Sequence, residues 1–155
     1  MARPEQPAFS KSPFLFADRI ALEDLPERSL VRVAHKFWRE LIPEPDLPAR
    51  SDFNAPDVPR KIMPWVFLHE VVRHEDGTLD YRCKLMGTST VAMIGFDPTG
   101  RLNTEFFTTP ALRYLNDSLD EAVRQGTPSF WKAGVPHARL EAVAVWRGIF
   151  PLASD

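Results

Sequence analysis

An α+β fold built on an antiparallel sheet is the class this sequence predicts, and three observations carry it. Leu79, Tyr81, Cys83 and Leu85 share one parity while Asp80, Arg82 and Lys84 share the other, the pattern of a strand with one buried and one wet face. A second strand over Trp65 to Val72 joins it through His74-Glu75-Asp76-Gly77, a turn sequence suited to an antiparallel hairpin. Along the whole chain the elements run helix, strand, strand, short helices, helix, strand, strand, the order of an α+β protein with helices packed on one face of its sheet.

Residues 1–13 hold three prolines and little periodic apolar content, so residues 1–23 are predicted to be a flexible arm and 24–155 a single domain. Asp24 and Glu27 have capping-box spacing, with Pro26 tolerated in the first turn. A long N-terminal helix over 25–42 follows, with Leu30, Val33, Ala34, Phe37 and Leu41 at helical spacing until Pro43 stops it. At 1.5 Å per residue it would be about 27 Å long. Val31, Trp38 and Ile42 widen its apolar stripe. They either cover the chain's own sheet or form the face of a homodimer.

Prolines crowd the next stretch (Pro43, Pro45, Pro48, Pro56, Pro59 and Pro64), which predicts an ordered irregular wrap with one helical turn near Asp57 to Lys61. Trp65 to Val72 carries apolar residues on both parities, the mark of a central strand covered on both faces. The 79–86 strand breaks at Gly87-Thr88. Thr88 is placed to cap a short helix through Val91, Ala92, Met93 and Ile94, and Gly95 can take the left-handed conformation that ends it. Asp97-Pro98-Thr99-Gly100 suits a type I turn. Thr109 and Pro110 open a helix with Leu112, Leu115, Leu119, Ala122 and Val123 inward and Gly126 at its end. On that helix Asp117, Asp120 and Glu121 read as the solvated side. The last strands are Ser129 to Val135 and Leu140 to Phe150.

Composition narrows the function. Nineteen Lys and Arg against 21 Asp and Glu leave a net charge of −2, which suggests neither a nucleic-acid footprint nor a polybasic membrane surface. No apolar run approaches the roughly 20 residues that span a bilayer. No secretory signal is legible, so the expected location is cytoplasmic. The single cysteine, Cys83, excludes an intrachain disulfide, suits a reducing compartment, and by parity reads as buried packing. His35, His69, His74 and His137 show no ligand spacing, so no metal site is expected. A nucleophile elbow, a phosphate-binding glycine loop and a Cys-x-x-Cys pair are all lacking, and no catalytic residue is assigned.

Several pieces, in order, resemble the PAS superfamily, and within it a PAS-like family of small bacterial proteins best known from alphaproteobacteria. They are Leu47-Pro48-Ala49-Arg50-Ser51-Asp52-Phe53, Pro59-Arg60, Met63-Pro64, and Tyr81-Arg82-Cys83-Lys84-Leu85-Met86-Gly87-Thr88. Gly95-Phe96-Asp97-Pro98-Thr99-Gly100-Arg101, Gly126-Thr127-Pro128 and Arg147-Gly148-Ile149-Phe150-Pro151-Leu152 continue the series. The resemblance covers roughly residues 30 to 152. Phe96 departs from it, standing where the family usually has a polar or basic residue. A PAS sheet has five strands and only four are legible here. The resemblance therefore implies that a partner chain or the N-terminal arm covers the edge of the first strand.

The resemblance together with strand parity implies a ligand pocket between sheet and helices, lined by Tyr81, Cys83, Met93, Phe106, Leu115 and Trp131. The function it implies is a non-catalytic sensory or protein-interaction module in bacterial signal transduction. The module would work as a homodimer, bind a small ligand and pass its signal to a separate protein; no cofactor is specified. The alternative is a small cup-shaped α+β enzyme, an isomerase or hydrolase, using His69 or a carboxylate as general base. A purely structural interaction domain with a filled core is the third reading.

Overall fold

The computed structural model describes residues 17–43, 46–106, 109–135 and 143–155. The elements are β1 (Ala17–Ile20), α1 (Leu30–Arg39), β2 (Phe67–Arg73), β3 (Leu79–Met86), α2 (Thr88–Ile94), α3 (Thr109–Gln125), β4 (Ser129–Val135) and β5 (Val143–Ile149), with short 3-10 turns between them. The class is α+β with antiparallel pairing throughout the named strands. His137 and the first residues of the strand expected over 140–150 lie outside the described residues.

Among the described residues five strands form, not four, and they make two sheets: β1-β4-β5 and β2-β3. The extra strand comes from the segment expected to be a flexible arm. β1 pairs with β4, from Ala17 against Ala133 to Ile20 against Phe130. It therefore does not cover the edge of β2, as the strand count had suggested. Among the described residues the outer edges of β2 and β5 have no strand partner. For this reason β2 is not the doubly covered central strand that its composition predicts: Phe67 and Val71 are 37% and 39% exposed.

Helices pack on both faces of the three-stranded sheet rather than on one. Strand alternation sends Phe130 and Gly148 toward α1, where the Phe130 ring meets His35 edge-on at 5.4 Å. A Cβ on Gly148 would lie 2.7 Å from Val31 Cγ1, so α1 sits close over this position. Arg147, one residue away, points to the opposite face and donates to Ser118 of α3 at 2.8 Å. α1 is also shorter than the helix expected over 25–42. Asp24 turns its carboxylate back to accept the Ala21 N–H at 3.0 Å inside a 3-10 turn, and Ser29 caps the helix by accepting the Val31 N–H at 3.2 Å. At the far end the chain tightens, with the Leu41 N–H reaching the Trp38 carbonyl at 3.3 Å.

The proline-rich wrap is tied to the end of the chain. The Ala153 N–H donates to the Pro48 carbonyl and the Arg50 N–H to the Ala153 carbonyl, both at 2.8 Å. Trp38 Nε1 donates to the Pro151 carbonyl at 2.9 Å. Burial of Val58 and Ile62 anchors the wrap, each contributing about 1.5–3 kcal/mol.

The corner after β3 forms largely as its residues dictate. Gly95 caps α2 at φ +91°, and the Asp97 carboxylate accepts both the Thr99 N–H and its hydroxyl. Gly100 and Arg101 then return to the other edge of β3: the Gly100 N–H donates to the Cys83 carbonyl at 2.7 Å and the Cys83 N–H to the Arg101 carbonyl at 3.0 Å. Two details differ from expectation. Gly87, not Thr88, is the N-cap of α2, and its backbone lies close against the Pro64 carbonyl. Asp80, on the parity expected to be wet, is 1% exposed and accepts from the Tyr81 N–H and the Thr104 hydroxyl.

Candidate functional site

The residues expected to line a pocket separate into packing and walls. Tyr81, Cys83 and Phe106 are 1%, 0% and 5% exposed. They are core. Burial pushes the Cys83 thiol up, as suits a packing cysteine. Phe106 meets Phe96 edge-on at 5.3 Å, so the residue that departs from the family pattern is used for packing. Met93, Leu115 and Trp131 are half-buried. Trp131 belongs to the other sheet, with the Arg19 guanidinium 5.9 Å from its ring. Of the residues expected at a dimer face, Val31 and Trp38 contact the chain's own sheet and C-terminal segment, and Ile42 is half-buried.

A polar constellation sits where the hairpin, α3 and β5 meet. On β5 the inward parity runs Val145, Arg147, Ile149, placing a guanidinium among apolar positions. Its cross-strand neighbour is Trp131. Ser118 lies on the α3 face that also carries Leu115, Leu119 and Ala122. Its hydroxyl donates to the Leu115 carbonyl at 2.7 Å and accepts from Arg147 Nη2 at 2.8 Å. Two residues on, Asp120 accepts the Tyr81 hydroxyl, locking α3 to β3. Glu121 pairs with Arg19 of β1. Asp120 and Glu121 thus serve as structural links, whereas Asp117 stays in solvent beside Arg113.

His69 completes the group from β2, its ring 6.3 Å from Tyr81 and 5.7 Å from Phe67. Burial, and secondarily the Arg147 charge, lower His69 to about 4, so it is neutral at pH 7. Burial also lowers Arg147 to about 10, although its side chain keeps part of its accessible surface. The guanidinium is thus flanked by α3, β4 and the hairpin while part of the side chain reaches solvent. Burial and the Asp120 carboxylate raise the Tyr81 phenol above its ordinary value.

The lowered His69 has a measurable consequence. Between pH 6.5 and about 4 the unfolded chain gains a proton that the folded chain refuses. Stability is therefore full above pH 6.5 and falls as pH drops toward 4, by about 2–3 kcal/mol after allowing for residual solvent. Urea unfolding at pH 7 and pH 4.5 should show a smaller fall in His69→Gln than in wild type. Equal falls would contradict the burial of a neutral imidazole.

Elsewhere, an open groove of about 490 Å³ beside the start of α1 is lined by Arg28, Arg32, Lys36 and Lys61 together with Glu27, Ser29 and Val33. Arg32 is engaged there, donating to the Leu25 and Pro26 carbonyls. Among the described residues no cluster of His, Cys, Asp and Glu has the arrangement to hold a metal, and no helix is long and apolar enough to cross a membrane. No protein-family model, curated protein or solved structure matches the chain.

Sequence reasoning missed Arg147 and Ser118 as site residues. The signal was present: an arginine on the apolar parity of a strand, and a serine on the apolar face of a helix.

Proposed function

We propose that the chain is a PAS-like sensory or protein-interaction module of the bacterial cytoplasm, binding a small ligand in the crevice between the β2–β3 hairpin, β5 and α3. The observation that carries this reading is Arg147, a guanidinium set among apolar positions with one donor on Ser118 and, among the described residues, no carboxylate in ion-pair reach. Ligand contact there touches α3 through Ser118 and both sheets through Arg147 and His69. Binding would therefore favour one packing of α3 on the sheets, and a separate signalling protein would read the altered surface. Self-association through the outer surface of α1, where Leu30 is 37% exposed, belongs to the same reading.

His69 weighs against the enzyme alternative. A base lowered to about 4 holds little driving force for taking a proton at neutral pH, and the Tyr81 phenol is a correspondingly poor acid. The groups favour binding and orientation. Native mass spectrometry of the purified protein tests the reading, because it weighs the subunits together with any small molecule they carry. A bound molecule is the expected result.

A further inference from the structure

Among the described residues ion pairing does not follow enclosure: the exposed Arg60, Arg73 and Arg124 have no carboxylate in reach, and neither does the more enclosed Arg147. Arg19, Arg82, Arg101 and Arg113, whose side chains are 36–81% exposed, each have a carboxylate partner within ion-pair reach. Arg147 is the more enclosed, and among the described residues no carboxylate comes within 4.0 Å of it. One of its five donors goes to Ser118, whose own proton is committed to Leu115. A partly enclosed guanidinium with no counter-charge beside it has donors left to offer, and an external anion is the partner they fit.

The structure assigns the Arg147 crevice to a monocarboxylate with an apolar body. This rests on the reading of the crevice as a ligand site and specifies the ligand's chemistry. A planar guanidinium with adjacent free N–H groups matches a carboxylate in two parallel hydrogen bonds. Charge balance limits the ligand to one negative charge, since Arg147 stands beside a neutral His69 and the Asp120 carboxylate lies on the next stretch of α3. A phosphate dianion or dicarboxylate would bring a second charge toward the Asp120 carboxylate, with the other cations, Arg73 and Arg124, lying in solvent. Trp131 beside Arg147 and the Phe67 edge against His69 offer apolar surface to the rest of the molecule.

The probes are benzoate, its neutral isostere benzamide, and inorganic phosphate, compared at matched ionic strength by thermal unfolding. At ten times its Kd, benzoate should raise Tm by about 3–6 °C. Benzamide and phosphate should raise it far less. Arg147→Met should abolish the benzoate shift, and Ser118→Ala, which frees the guanidinium from its one anchor, should weaken benzoate roughly 5–10-fold. The serine variant keeps the test decisive if the methionine variant does not fold. Equal shifts from benzoate and benzamide, or a benzoate shift undiminished in both variants, would overturn the carboxylate assignment while leaving a ligand module intact. A benzoate shift removed by Lys61→Gln instead would move the anion to the groove beside α1 and overturn it too. No shift from any probe, with no molecule on the purified protein, would remove both readings.

Discussion

Gly87→Ala is expected to cost about 3 kcal/mol or more, because an added methyl group there meets three backbone atoms. A Cβ at Gly87 would lie 2.2 Å from the Pro64 carbonyl oxygen and 2.4 Å from its carbon, with the Met63 oxygen at 2.6 Å. All three are backbone atoms, held in a 3-10 turn that Pro64 stiffens, so none can rotate aside. The Gly87 N–H also donates to the Val66 carbonyl at 2.8 Å, which ties the end of β3 to the start of β2. Separating the two segments to admit a methyl would break that bond and tilt α2 away. Gly95→Ala is the control. Its φ of +91° imposes about 1–2 kcal/mol of strain, but a Cβ there would meet open space. Urea unfolding should separate the two variants clearly; a Gly87→Ala protein within 1 kcal/mol of wild type would contradict the close approach.

Tyr81→Ala should cost about 3–5 kcal/mol, by the loss of a fully buried ring. Tyr81 is 1% exposed, contacts His69 edge-on and reaches across to Asp120. Tyr81→Phe divides the effect: it keeps the ring and removes a hydroxyl bonded to a carboxylate, a loss of about 1–3 kcal/mol. The link is also geometrical, because Asp120 lies two residues from Ser118 on α3. Tyr81→Phe should therefore loosen the helix that forms one wall of the crevice and weaken benzoate, in addition to lowering stability. A phenylalanine variant with unchanged stability and unchanged benzoate affinity would show that the Tyr81–Asp120 bond does not position α3.

Local chemistry was legible in the sequence and long-range pairing was not. Residues 79–86, 109–125 and 129–135 form the strand, helix and strand that their periodicity predicts, and the glycines at 95 and 126 end their helices with positive φ. Those patterns are set by neighbours along the chain. β1 was missed because Ala17-Asp18-Arg19-Ile20 has little apolar alternation; its order comes from pairing with β4, more than a hundred residues away. Asp24 was read as a helix cap and instead caps its own short turn, a competition between local hydrogen bonds that spacing alone does not resolve.

The site followed the same division. Parity identified Tyr81 and Cys83 as inward residues but not whether they line a void or fill one, and both fill one. Asp120 looked solvated because helical periodicity places it beside polar neighbours. Only the docking of α3 brings it to the Tyr81 hydroxyl. Arg147 was visible as an anomaly of parity, and its meaning depended on partners that only the fold supplies: Ser118 from a helix, Trp131 from the adjacent strand and His69 from the other sheet.

A ligand held by Arg147 is the claim on which the functional reading turns, and native mass spectrometry of wild type beside Arg147→Met tests it most directly. Wild-type protein, as purified or with benzoate added, should carry small-molecule mass that disappears on collisional activation. The Arg147→Met protein should run at the bare polypeptide mass under both conditions. Bare wild type in both conditions, or equal occupancy of wild type and variant, would contradict the assignment.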